Sequence, residues 1–261
     1  MLGAIIGDIV GSRFEYDNIK TKEFDFFAPG CAITDDSVLT IAVAEAFLMG
    51  DIEQLSIHAR DCIFKHSWRY AQKDYGDRFR LWMNDPLLKP YNSFGNGAAM
   101  RVSPCCIAAK NLDEVKAFSY AVTAVTHNHP EGIKGAEAAA VAGFLAKSHP
   151  TIQTIENYIN EHYYSMDFTL DQIRDSYDYD VTCQGTVLVA LKAFFESTSF
   201  EDAIRNAISV GGDSDTIAAI TGGVAGIYYG TEGYKETVYQ YLDNEQIRIL
   251  EQFTKVFSYS I

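Results

Sequence analysis

Positive charge is scarce in this chain. Its 261 residues carry 21 Lys and Arg against 35 Asp and Glu, a net charge of −14. Such a surface repels phosphate backbones and anionic headgroups, so neither nucleic acid nor a membrane is an expected partner. Long apolar runs are missing as well. No stretch reaches the roughly 20 residues that a membrane helix requires. The opening stretch, Met1 to Val10, is apolar but broken by Asp8. It has no basic leader and no cleavage pattern, so a secretory signal is not expected. CxxC pairs are absent, and the five cysteines (Cys31, Cys62, Cys105, Cys106 and Cys183) are odd in number. That argues against a disulfide scaffold or a cysteine zinc site and fits a reducing, cytoplasmic location. Fixed-period repeats, low-complexity tracts and a convincing series of alternating strands are also lacking. Neither a Walker loop nor a GxGxxG fingerprint occurs.

What is present is helical periodicity. Apolar residues are 48% of the chain, enough for a sizeable core, and one domain over residues 1–261 is expected. Apolar spacings of three and four predict helices over 37–49, 52–66, 98–109, 112–124, 131–147, 152–162, 185–195, 200–210, 216–229 and 244–257. Alanine-rich segments such as Ala136 to Ala142 let helices approach closely. The expected fold is therefore an all-α, multi-helix globule with its active surface on loops and helix N-termini. Short extended pieces are expected near Phe24 to Phe27. Tyr70 to Tyr91 and Ser165 to Cys183 read as irregular excursions.

Two acidic clusters stand out: Thr34-Asp35-Asp36-Ser37 and Gly211-Gly212-Asp213-Ser214-Asp215-Thr216. Each precedes an apolar, helix-like run, so helix capping explains part of each. A cap needs only one side-chain acceptor, however, which leaves the adjacent carboxylate free. Four carboxylates brought together would repel unless cations lay between them, and all-oxygen ligands select magnesium, manganese or calcium over zinc. Gly3, Gly7 and Gly11 make a small-residue stripe suited to close helix packing. Asp8 and Glu15, seven apart, share a face if that helix persists. Glu15 can orient water, act as a base, or stand as a solvated carboxylate.

Ser93-Phe94-Gly95-Asn96-Gly97-Ala98-Ala99-Met100-Arg101 is a glycine loop feeding a helix. Exposed N–H groups there can hold a diphosphate, or the loop is simply a tight turn. Arg101 would add charge or sit in a structural ion pair. Thr126-His127-Asn128-His129-Pro130-Glu131 offers a rival His-x-His zinc site, or a helix start at Pro130. Tyr177 and Tyr179 lie in an acidic loop, and Cys105 and Cys106 fall in an apolar helix.

The motifs GAIIGDIVGSRFE, TDDSVLT, SFGNGAAMRVSP, THNHPEG, CQGTVLVAL and GGDSDTIAAITGGVAGIYYG, in that order, make the chain resemble the ADP-ribosylglycohydrolase family. They span most of its length. The resemblance implies an all-α fold and a centre of two Mg2+ (or Mn2+). It implies Thr34, Asp35 and Asp36 as the first metal-ligand set and Asp213, Asp215 and Thr216 as the second. Glu15 would lie near metal and water, with Glu15 or metal-bound Asp36 steering the attacking water. Ser93, Phe94, Gly95, Asn96 and Gly97 would hold the diphosphate and proximal ribose of ADP-ribose, and His127 would touch the substrate. Gln184 lies in a matching motif. The implied reaction is hydrolysis of an ADP-ribosyl bond to an arginine, a serine or a small conjugate. A non-catalytic ADP-ribose reader, or a metal hydrolase of another nucleotide-like compound, are the competing readings.

Overall fold

The computed structural model describes residues 1–257. Fourteen α-helices account for most of them. They are α1 (Leu2–Gly11), α2 (Asp35–Leu48), α3 (Leu55–Arg69), α4 (Asp77–Met83), α5 (Ser103–Ala108), α6 (Leu112–Thr123) and α7 (Pro130–Ala146). Then follow α8 (Ile152–His162), α9 (Leu170–Ile173), α10 (Cys183–Phe195), α11 (Phe200–Ser209), α12 (Ser214–Tyr228), α13 (Lys235–Tyr239) and α14 (Asn244–Phe257). Among the described residues the sole β-type pairing is one isolated bridge, Gly95 to Thr182. The fold is all-α, and no extended strand forms at Phe24 to Phe27.

Several helix starts are written in their caps. Thr34, Asn111, Thr151, Thr169, Thr182 and Ser199 each accept a backbone N–H from the first turn of the following helix. The helix expected over 98–109 is interrupted. A 3₁₀ turn at Asn96–Ala98 comes first, and α5 restarts with Pro104 in its first turn, where a missing N–H is harmless. The excursion over 70–91 contains α4, whose Phe79, Trp82 and Met83 form one buried face.

Helix α12 runs through the middle of the molecule and is almost wholly buried. It lies directly on α1. A Cβ added at Gly3 or Gly7 would strike the backbone of Gly222 or Ala218, and one at Gly11 would come within 2.6 Å of Asp215 Cα. The glycine stripe thus lets two helix backbones touch. Helices α2, α7, α10 and α11 also pack against this pair. Gly211 and Gly212, at φ of +69° and +77°, turn the chain sharply into α12. Asn18 clamps that turn: its Nδ2 donates to the Gly212 carbonyl (2.9 Å) and its Oδ1 accepts from the Gly212 amide (2.7 Å).

Candidate active site

The first turns of α2 and α12 meet at the floor of a cavity of about 450 Å³. Thr216 Oγ1 donates to Asp36 Oδ1 at 3.3 Å, joining residues 180 positions apart. Asp35, Asp36, Asp213, Asp215, Thr216 and Glu15 all line the cavity. Carboxylate oxygens of Glu15, Asp213 and Asp215 lie within 4.8 Å of one another.

Asp8 and Glu15 have different tasks, because α1 ends at Gly11 and the chain passes through a 3₁₀ turn before Glu15. Asp8 is fully buried and straps α1 to the start of α2. It accepts from the Thr34 amide (3.0 Å), the Thr34 hydroxyl (2.7 Å), the Ser37 amide (3.1 Å) and the Ser37 hydroxyl. Glu15 faces the cavity instead, where Tyr179 donates to its Oε1 at 3.3 Å. Thr34, half-buried, is next to the cavity lining but not part of it. Its proton goes to Asp8 and it accepts from the Asp36 amide, which leaves one lone pair unused.

The floor is electrostatically incomplete. Asp36 Oδ2 and Asp215 Oδ1 are buried without a hydrogen-bond partner. Asp213 has one strong donor, Asn96 Nδ2 at 2.6 Å. Among the described residues no lysine or arginine pairs with these carboxylates. Burial, then the charges of Asp8 and Asp213, push Asp35 up to about 8. Burial, then neighbouring carboxylates, hold Asp36 and Asp215 well above the ordinary range. Burial is also the first cause of the upward shift of Glu15. Orphaned buried oxygens on several crowded carboxylates fit a bound divalent cation, with oxygen donors suited to magnesium or manganese.

The glycine loop forms the opposite wall. Ser93 Oγ accepts from the Gly95 amide (3.1 Å), and the Asn96 amide donates to the Val181 carbonyl (2.8 Å), tying the loop to the start of α10. Asn96 therefore links both walls, since its side chain also reaches Asp213 and Thr186. Phe94 is exposed at the mouth, its ring 5.2 Å from that of His129. His127 is buried, and its Nε2 lies 3.2 Å from where a Cβ on Gly97 would stand. His129 caps α7 instead, accepting the Glu131 amide on Nδ1 (3.1 Å), so the two histidines do not converge on a metal. Gln184 does not line the cavity. Cys105 and Cys106 are core residues.

The rim joins Tyr179, already noted in its acidic loop, to Tyr16, Asp74, Asp77 and Arg78, which the sequence did not single out. Tyr16 donates to Asp74 (3.3 Å), and Asp77, Arg78 and Phe79 complete that side. Arg78 is held by the Tyr91 carbonyl and lies 5.2 Å from the Tyr91 ring. Tyr179 reaches Glu15, while Tyr177 packs against Gly212. No local signal marks these pairs, because their partners are far away in the chain. Arg101 is fully buried and, among the described residues, has no carboxylate partner. It donates to Thr126 Oγ1 (2.6 Å) and the Val122 carbonyl (3.3 Å), and two of its nitrogens are left without partners. Burial lowers it only to about 10, so it stays cationic at neutral pH. Burial, then Arg101 and Arg78, hold His127 well below its ordinary value and hence neutral.

Comparison with known proteins gives a consistent result. The model of the ADP-ribosylglycohydrolase family matches residues 1–259. The chain is 24% identical to "ADP-ribosylhydrolase ARH3" of Mus musculus, over 97% of this chain and 89% of that protein. It is 25% identical to "ADP-ribosylarginine hydrolase Tri1" of Pseudomonas putida (strain GB-1), over 89% of this chain and 70% of that protein. A solved "ADP-ribosylglycohydrolase-related protein complex" superposes with a TM-score of 0.72 at 21% identity, covering all of this chain and 96% of its own, which establishes a shared fold. Among the described residues, no helix is long and apolar enough to cross a membrane.

Proposed function

The chain belongs to the ADP-ribosylglycohydrolase family, and on that premise we propose that it hydrolyses the bond between the distal ribose of ADP-ribose and an acceptor atom, in a metal-dependent reaction. The observation that carries this reading is the meeting of two acidic helix starts and Glu15 across a cavity from a glycine loop.

Asp35, Asp36, Asp213, Asp215 and Thr216, with the spare lone pair of Thr34, would hold one or two Mg2+ or Mn2+. Such ions, when bound, supply Lewis acidity toward ribose hydroxyls and water. The chain's own residues do the rest. Glu15, fixed by Tyr179, takes a proton from the attacking water. Asp36 is the second group placed to orient that water. Oxygen from water bonds to the anomeric carbon, and the bond to the acceptor breaks. The electron pair leaves with the acceptor, which regains a proton. Carboxylates around the reacting carbon ease the positive charge that develops there. Ser93 to Gly97 and His127 grip the diphosphate and proximal ribose, using binding energy remote from the reacting bond.

The rim favours a cationic acceptor. Asp74 and Asp77 are exposed beside Glu15 and Tyr16, whereas Arg78 and Arg80 donate to backbone carbonyls, Arg80 reaching Asp74 only at 4.0 Å. A guanidinium, as in ADP-ribosylated arginine, complements that charge better than a neutral serine does. The test is ADP-ribose release from arginine- and serine-linked conjugates, assayed side by side with magnesium or manganese. Faster release from arginine supports the assignment. Full activity after exhaustive chelation rejects the metal mechanism, and tight ADP-ribose binding without cleavage of any conjugate indicates a reader.

A further inference from the structure

We infer that Arg101 and Thr126 form a positioning relay that sets the tautomer of His127, so that its Nε2–H is aimed into the glycine loop to donate to an oxygen of the bound nucleotide diphosphate. The inference rests on the functional reading above for the ligand, and on hydrogen-bond logic for the relay.

Each link has a fixed direction. A guanidinium can only donate. Arg101 Nη2 lies 2.6 Å from Thr126 Oγ1, so the threonine oxygen accepts there. Thr126 is fully buried, and its hydroxyl has one other partner, His127 Nδ1, at 2.7 Å. The hydroxyl proton therefore points at Nδ1, which must accept. A neutral imidazole with a bare Nδ1 carries its single proton on Nε2.

That nitrogen faces the loop. It lies 3.2 Å from the Cβ position of Gly97 and 3.7 Å from that of Gly95, so any side chain at Gly97 would crowd it. The ring is held from behind as well. The His127 amide donates to the Thr123 carbonyl (2.9 Å), the Tyr91 amide donates to the Thr126 carbonyl (3.1 Å), and the Tyr91 ring lies 5.6 Å from the imidazole. The opposite tautomer would offer a lone pair to an anion, which repels it. The buried arginine, lacking any carboxylate, gives the relay its polarity: it forces an acceptor at one end, and a donor emerges in the cavity at the other.

The experiment combines histidine ring spectroscopy with binding. In protein labelled with 15N-histidine, two-bond proton–nitrogen correlations should show His127 protonated on Nε2 and bare on Nδ1. The signal is assigned by its loss in His127→Gln. Thr126→Val keeps the shape and removes the relay. It should leave a tautomer mixture and weaken ADP-ribose binding about tenfold, roughly the worth of one hydrogen bond. Thr126→Ser should restore both. A wild-type ring protonated on Nδ1 overturns the inference. So does a Thr126→Val protein with unchanged tautomer, or with a changed tautomer and unchanged affinity. Should the wild type not bind ADP-ribose at all, the functional reading fails, and the wild-type ring spectrum still decides the relay.

Discussion

The floor of the cavity is made by helix backbones in contact, whereas the rim is made by side chains reaching across loops. On the floor, α1 and α12 touch through glycines, and Asp8 straps α2 to them. Asp35, Asp36, Asp213 and Asp215 are placed there by the starts of α2 and α12. At the rim, Tyr16, Asp74, Asp77 and Tyr179 are exposed; Tyr16 donates to Asp74 and Tyr179 donates to Glu15, each through a single hydrogen bond of 3.3 Å. Both carry carboxylates, but the floor has no tolerance for added volume, whereas the rim has room for it. Chemistry common to a family belongs on the first kind of surface, and choice of acceptor on the second.

Four perturbations sharpen this contrast. Asp215→Asn should lower turnover at least about a thousandfold, about 4 kcal/mol of transition-state stabilisation, in an ADP-ribose release assay. Next in size is Gly7→Val, which drives a side chain into the Ala218 backbone. Overpacking against main chain should cost about 3 kcal/mol in urea denaturation, whereas Gly76→Ala at the rim, where a Cβ meets nothing within 4 Å, should stay within about 0.5 kcal/mol. Asp36→Asn separates stability from function. Removing one charge from the crowded floor should raise the melting temperature of the cation-free protein by about 2–4 °C, a gain of about 1 kcal/mol, while turnover is lost. In the wild type, magnesium or manganese should raise the melting temperature by mass action, and in Asp36→Asn that increment should shrink. Smallest is Tyr179→Phe, which removes one long hydrogen bond to Glu15. It should lower turnover about threefold and leave stability unchanged, as read by steady-state kinetics and thermal melting.

Much of the floor was legible in the sequence, because its signals are local. Thr34 and Asp213 mark helix starts, Gly3, Gly7 and Gly11 mark close packing, and the limits of α8 and α14 match the expected spans. Pro104 marks the restart that breaks the helix expected over 98–109, and Phe79, Trp82 and Met83 carry a helical spacing that the surrounding charge concealed. Asp8 and Glu15 would share a face only if the first helix persisted, and α1 ends at Gly11. The rest depends on pairs far apart in the chain. Tyr16 finds Asp74, Glu15 finds Tyr179, and Asn18 finds Gly212, and nothing beside any of them names its partner. Arg101 illustrates a subtler limit. A buried arginine suggests an ion pair, and only coordinates reveal that it ends on a threonine and a carbonyl.

The seam between α1 and α12 has a consequence for how the protein is made. Gly11 and Ser214 are 203 positions apart (214 − 11). Ribosomes add about 5–20 residues per second, so α1 emerges on the order of 10–40 seconds before the helix that covers it. Throughout that interval its apolar, glycine-lined surface has no mate, and no nascent chain that stops short of α12 can assemble the carboxylate floor.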